Sequence, residues 1–260
     1  MAEDRNPTSN FDDLVEIVGI LRKECPWDRK QTHESIKDNL IEEAYEAVEA
    51  IDTKDFGELQ KELGDVLLHV VFHSRMADEK KNFTIDDVIY SIQQKLIRRH
   101  PHVFGDENAE DEEQVAKNWE SIKMDEGKES VLEGIPKQLP ALIRAQRMQE
   151  KAANVGFDWP EFSQVWEKLE EELDEFKEVL ETGTEKEKQD EFGDLLFSLV
   201  NAGRFFNLNA EDSLRATNRK FIHRFQYIEE QLKEEDKEIT EVTLEEMDKH
   251  WDNAKTSTDS

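Results

Sequence analysis

Very little in this sequence suits a secreted, membrane-spanning or sheet-rich protein. Its one cysteine, Cys25, cannot form an intramolecular disulfide, and no His or second Cys stands at a catalytic spacing from it. No apolar run approaches the ~20 residues of a membrane span. Residues Met1 to Asn10 lack the basic start and apolar core of a secretory signal. A soluble protein of a reducing cytoplasm is expected. Only 10 Gly and 6 Pro interrupt 260 residues, which removes most of the punctuation that sheets and tight turns require. Basic side chains are also scarce, 34 against 63 acidic ones, for a formal net charge of -29. That field repels polyanions and anionic membrane surfaces, so neither a nucleic acid polymer nor a membrane is an expected partner.

What remains is a chain rich in helical rhythm and long enough for one large domain or two ordinary ones. After Asn10, a candidate N-cap, Phe11, Leu14, Val15, Ile17, Val18 and Leu21 recur at helical spacing until Cys25-Pro26. A second helix is expected over 35–51, with Leu40, Ile41, Ala44, Tyr45, Val48 and Ile51 inward, and a third over 56–76. Thr84 and Asp87 open a fourth in a capping-box pattern. Gly127, Gly134, Pro136 and Pro140 read as a linker over 126–140 between an N-terminal half, 1–125, and a C-terminal half, 141–260. Further helices are expected over 141–153, 162–180, 185–206 and 210–232, then a short piece after Thr243 and a frayed end from Thr256. The expected fold is all-α.

The two halves repeat one another. Glu42-Glu43-x-x-Glu46 precedes Glu62-x-x-Asp65, and Glu171-Glu172-x-x-Glu175 precedes Glu191-x-x-Asp194, with 16 residues from Glu46 to Glu62 and again from Glu175 to Glu191. Lys95 and Arg99 correspond to Lys220 and Arg224, and Trp119 with Lys123 to Trp251 with Lys255. Ordered self-similarity of this kind indicates duplication.

Helical spacing puts Glu172 with Glu175 on one face, and Glu191 with Asp194 on the next helix. A tight turn at Thr182-Gly183-Thr184 makes the two helices antiparallel neighbours, so four carboxylates converge. Unrelieved, each pair at 4 Å repels by roughly 1 kcal/mol in water and about 4 at an effective dielectric of 20. A divalent cation resolves the conflict. All-oxygen ligands suit Mg²⁺, with Mn²⁺ as a substitute, better than zinc, and a di-iron bundle wants Glu-x-x-His where both motifs here end in Asp. One acidic motif alone reads as a solvated helix face; two pairs at identical spacing argue against that. Glu43, Glu46, Glu62 and Asp65 are the second-site candidates.

A phosphate substrate also needs protein cations. Lys168, Lys220, Arg224 and Lys255 are candidates, the middle two one helical turn apart, and Trp251 could stack on a base. Surface ion pairing and core packing are the plain alternatives for each. Three residues before each Glu pair, the second half has Lys168 and the first has Asn39, so the second has the fuller cationic set. Composition and spacing together reach magnesium-dependent phosphate chemistry and no further.

Several segments resemble the MazG family: Cys25-Pro26-Trp27-Asp28, Glu62-Leu63-Gly64-Asp65, Arg98 to Phe104, Ala152 to Trp159, and both acidic motifs. The resemblance runs along nearly the whole chain. It implies a homodimer of tandem helical bundles and Mg²⁺-dependent hydrolysis of ribo- and deoxyribonucleoside triphosphates to monophosphate and pyrophosphate. It further implies metal ligation by Glu172, Glu175, Glu191 and Asp194, with nucleotide contacts from Lys168, Glu171, Lys220, Arg224, Trp251 and Lys255. Glu171, Glu172, Glu175 and Lys168 are the expected catalytic set, with Glu171 positioning or deprotonating the water. Two alternatives stay open: a narrower dCTP, dUTP or phosphoribosyl-ATP pyrophosphohydrolase, and a non-catalytic nucleotide-sensing or protein-binding module.

Overall fold

The computed structural model describes residues 6–106 and 129–258, with isolated positions 111, 114, 115, 118 and 122 between them. Trp119 and Lys123 lie outside the described residues. The regular elements among those described are all helices, with no strand. The chain divides into two compact units, Met1–Asn108 and Ala109–Ser260.

In the first unit, α1 (Phe11–Glu24), α2 (Lys37–Thr53), α3 (Phe56–Glu79), α4 (Ile85–Arg99) and the short α5 (Pro101–Phe104) follow in order. Their starts obey local chemistry. Asn10 accepts from the Asp12 amide at α1, Asp55 accepts from Gly57 and Glu58 at α3, and Thr84 with Asp87 forms a full capping box at α4. α2 and α3 form an antiparallel hairpin across the two residues Lys54 and Asp55, Lys54 turning the chain in the left-handed region. α1 and α4 pack against α3. The core is small: Val18, Ile36, Val71, Phe72 and Met76, flanked by Phe11, Leu14 and Val15. Arg22 closes its end, its buried guanidinium donating to Glu79 at 2.7 Å and to the Asp28 and Gln31 carbonyls.

The second unit repeats the plan with α6 (Ala141–Asn154), α7 (Phe162–Thr182), α8 (Glu185–Phe205), α9 (Ala210–Glu234) and α10 (Leu244–Thr258). α7 and α8 form the hairpin across Gly183 and Thr184, and Thr184 caps α8 in a capping box with Glu187. α6 packs on α8, and α9 packs on α10. The piece after Thr243 is a 15-residue helix that continues past the expected fraying at Thr256. Within the expected linker, Lys151 donates to the Val131 carbonyl at 2.9 Å and Leu132 lines a cavity of this unit.

The inward face expected for α2 is corrected. Ala47 and Ala50 are its buried residues, whereas Ile41, Tyr45 and Ile51 are exposed, Ile51 to 58%, and Ala44 is exposed with them. The seam with α3 takes the small residues and the glutamates, which leaves the large apolar side chains on the far side with nothing in this unit to cover them.

Candidate metal centre

Two groups of carboxylates stand in the two hairpin seams. Glu43, Glu46 and Glu62 offer oxygen atoms within 4.8 Å of one another in the first, and Glu172, Glu175 and Glu191 do so in the second. In each, the α2 or α7 motif supplies two residues one turn apart, and the glutamate of the Glu-x-x-Asp motif on the next helix supplies the third. Asp65 and Asp194, both exposed, stand outside these closest groups but still act on them: burial first and then the charge of Asp65 raise the Glu43 carboxyl, and Asp194 adds to burial and Glu175 in raising that of Glu191.

Burial and mutual repulsion together set the electrostatics. Glu62 is buried, and burial, then its hydrogen bond to Glu46 and the charge of Glu46, push its carboxyl up to about 7. Burial first, then Glu175, Asp194 and Glu172, also raises Glu191. Oxygen donors gathered without His or Cys, and held at the cost of protonation, fit a hard divalent cation.

The halves differ at one cation. Lys168 Nζ lies 2.7 Å from Glu172 and 2.9 Å from Glu171, and the hydrogen bonds to Glu172 and then Glu171 hold it well above the ordinary lysine range. Glu172, buried, thereby has a counter-charge. The corresponding Asn39 provides none.

Lys220, Arg224, Trp251 and Lys255 gather on α9 and α10 instead. The Arg224 guanidinium lies over the Trp251 ring at 5.6 Å, Phe221 meets the same ring at 5.3 Å, and Lys255 pairs with Asp252 at 2.8 Å. Among the described residues no hydrogen bond or ion pair joins this group to the carboxylates. Lys95 and Arg99 lie on α4 of the first unit.

Three features escaped the reading of the sequence. His33 and His73 meet Nδ1 to Nδ1 at 2.8 Å and stack, with His69 nearby. A cavity of about 210 Å³ in the first unit is lined by Trp27, Asp28, Asn39, Glu43 and His69 among others. A larger one of about 290 Å³ in the second is lined by Gln149, Phe157, Trp159, Lys168, Phe197 and Asn201 among others. The signal for the cavities was in the motifs Cys25 to Asp28 and Ala152 to Trp159, which spacing alone gave no role.

The model of the MazG nucleotide pyrophosphohydrolase domain matches residues 31–104, which span the first carboxylate group. A Thermotoga maritima protein described as nucleoside triphosphate pyrophosphohydrolase/pyrophosphatase MazG is 48% identical over 94% of this chain and 95% of its own length. The Escherichia coli (strain K12) nucleoside triphosphate pyrophosphohydrolase is 41% identical over 95% of this chain and 97% of its own. The Bacillus subtilis protein YabN is 51% identical over 89% of this chain, which spans 48% of it. With that identity running along almost the full length of both chains, the chain belongs to the MazG family of nucleotide pyrophosphohydrolases, which are hydrolases.

Proposed function

We propose that the chain hydrolyses ribo- and deoxyribonucleoside triphosphates to monophosphate and pyrophosphate with Mg²⁺, chiefly in its second half, as a homodimer in the cytoplasm. The observation that carries the reading is the convergence of Glu172, Glu175 and Glu191 within 4.8 Å beside the cation of Lys168. Glu172, Glu175, Glu191 and Asp194 hold the metal, which when bound supplies positive charge to the phosphate oxygens. The first-half set, Glu43, Glu46, Glu62 and Asp65, is a second metal site without a lysine at position 39.

Water attacks the α-phosphorus, its oxygen forming the new P–O bond as the bond to the bridging α–β oxygen breaks and pyrophosphate leaves with the electron pair. Glu171, exposed and beside Lys168, orients the water and accepts its proton. Lys168 stabilises charge on the transferring phosphoryl oxygens. Lys220 and Arg224 present further charge to the triphosphate, with Arg224 held in place by Trp251, and Lys255 lies one turn from that ring. Trp251 also contacts the nucleotide.

Ion-exchange chromatography of products from the eight common NTPs and dNTPs tests this. ATP should give AMP and pyrophosphate; ADP with orthophosphate would overturn the reaction position. In the same assay Glu175→Gln should lower kcat at least 100-fold and Glu46→Gln by much less. A larger loss from Glu46→Gln with an intact dimer would reverse the assignment of halves.

A further inference from the structure

We propose that the cavity of the first unit, walled by the Trp27–Asp28 turn, α2 and α3, binds a small organic cation of the amidinium or guanidinium class, with the Asp28 carboxylate as its counter-charge and His69 as a second acceptor. The inference is independent of the reaction assigned to the second half.

Asp28 is half-buried, and the fold holds its main chain firmly. Arg22, 9% exposed, donates from its guanidinium to the Asp28 and Gln31 carbonyls and forks onto Glu79 at 2.7 and 3.1 Å, while Gln31 Nε2 donates to the Trp27 carbonyl at 3.1 Å. Four of the five guanidinium donors are thereby engaged. The Asp28 carboxylate itself receives no hydrogen bond or ion pair among the described residues, and no Lys or Arg among them lines the cavity. His69, on the same wall, is equally unengaged: its Nδ1 is buried without a partner, and its Nε2 bonds to no described residue. Buried polar groups in native proteins are normally paired; here a carboxylate and an imidazole that line one cavity both lack a partner.

Size and walls define what fits. The cavity measures about 210 Å³, and one water, whose share of liquid volume is roughly 30 Å³, would leave most of it unfilled. It is smaller than drug-sized sites, which begin near roughly 300 Å³, so one ring or a short chain is the limit. Ile36 and Phe72, each 5% exposed, give it an apolar floor, and the Trp27 ring gives an aromatic side on which a flat cation can lie. Asp28 belongs to neither carboxylate group gathered within 4.8 Å, so it is not part of an oxygen ligand set for a bare divalent ion.

Charge and geometry then select the head group. Glu43 lines the cavity together with Asp28, and two carboxylates repel a phosphate or carboxylate ligand. In the second unit Lys168 and Arg204 line the cavity; in the first, Asn39 occupies the position matching Lys168, so the cation an anionic ligand would need is missing there. A planar amidinium presents two parallel N–H groups that fork onto one carboxylate, which a compact ammonium does not. Its remaining N–H groups reach a second acceptor, the neutral imidazole of His69. The uncharged body of the ligand lies on the apolar floor and against Trp27.

Calorimetric titration of the full chain, with Mg²⁺ saturating the carboxylate groups, tests this with three probes of one shape: cationic benzamidine, neutral benzamide and anionic benzoate. Wild type should take up one benzamidine per chain about tenfold more tightly than benzamide, the scale of a hydrogen bond to a charged group, and should not bind benzoate. Asp28→Asn, checked by a circular dichroism melt, should bind benzamidine and benzamide alike. Trp27→Ala, at an exposed position, should weaken benzamidine about threefold through loss of the ring face. Wild type that binds benzamidine no more tightly than benzamide overturns the proposal without any variant. A preference kept intact in Asp28→Asn overturns it as well, and so does unchanged benzamidine affinity in Trp27→Ala, which decides the matter if Asp28→Asn fails to fold.

Discussion

Glu62 stands where burial and repulsion meet most sharply. Its carboxyl, raised from 4.5 to about 7 by burial and by Glu46, has a definite consequence for stability. A folded value above the unfolded one gives a contribution that is complete below the unfolded value and lost as pH rises through the folded one. Without metal, the melting temperature should therefore fall as pH goes from about 4.5 to about 7, and Mg²⁺ should restore most of it above that window. Glu62→Gln should flatten this dependence and raise the metal-free melting temperature at pH 8. Thermal melts in EDTA and in Mg²⁺ would check it, and an unchanged pH slope in the variant would refute it. The carboxylates themselves were legible from the sequence because helical spacing fixes which side chains share a face. The unpaired state of Asp28 was not, since one aspartate in a turn has no period; only the tertiary placement of Arg22 and the cavity shows it.

Helix ends were the most legible elements. Asn10, Thr84, Thr184 and Asn209 cap helices that begin one residue later, because a side-chain oxygen satisfying orphan amides is a local event. The face of α2 was not legible: periodicity says that Ile41, Tyr45 and Ile51 travel together, but not which neighbour they meet. Two glycines at turns matter for opposite reasons. Gly156, at φ 90, ends α6 while the Phe157 amide reaches back to the Ala152 carbonyl at 3.0 Å, and so turns Phe157 to Trp159 onto the cavity. A Cβ there meets nothing within 4 Å, so Gly156→Ala costs about 1 kcal/mol of backbone strain. Gly183 has an ordinary φ of -82, but a Cβ there would lie 2.7 Å from the Val179 carbonyl oxygen and Cβ. Gly183→Ala should cost about 1–3 kcal/mol through overpacking and splay the carboxylate hairpin. Urea melts should show both losses, with Mg²⁺ affinity reduced only by Gly183→Ala; the reverse pattern would contradict this account.

At the scale of the whole molecule, the apolar residues left uncovered occur in matching places. Ile51, Leu63, Leu67 and Val70 in the first unit and Leu180, Phe192, Leu196 and Leu199 in the second are all exposed, each pair 129 positions apart. Exposed apolar side chains recurring at matching positions suit an interaction site, and the recurrence supports the proposed homodimer. Leu196→Glu combined with Leu67→Glu should convert the dimer to monomer in sedimentation equilibrium, and a dimer of wild-type affinity would exclude these faces from the interface. The small cores give that pairing a further meaning. Among the described residues Val18, Val71, Val165 and Leu232 are the largest side chains wholly enclosed by one chain, so the proposed dimer would withdraw from water apolar surface that each copy alone leaves exposed. Folding of such a dimer would be partly bimolecular, and its melting temperature should be a function of dilution, rising with protein concentration as mass action requires.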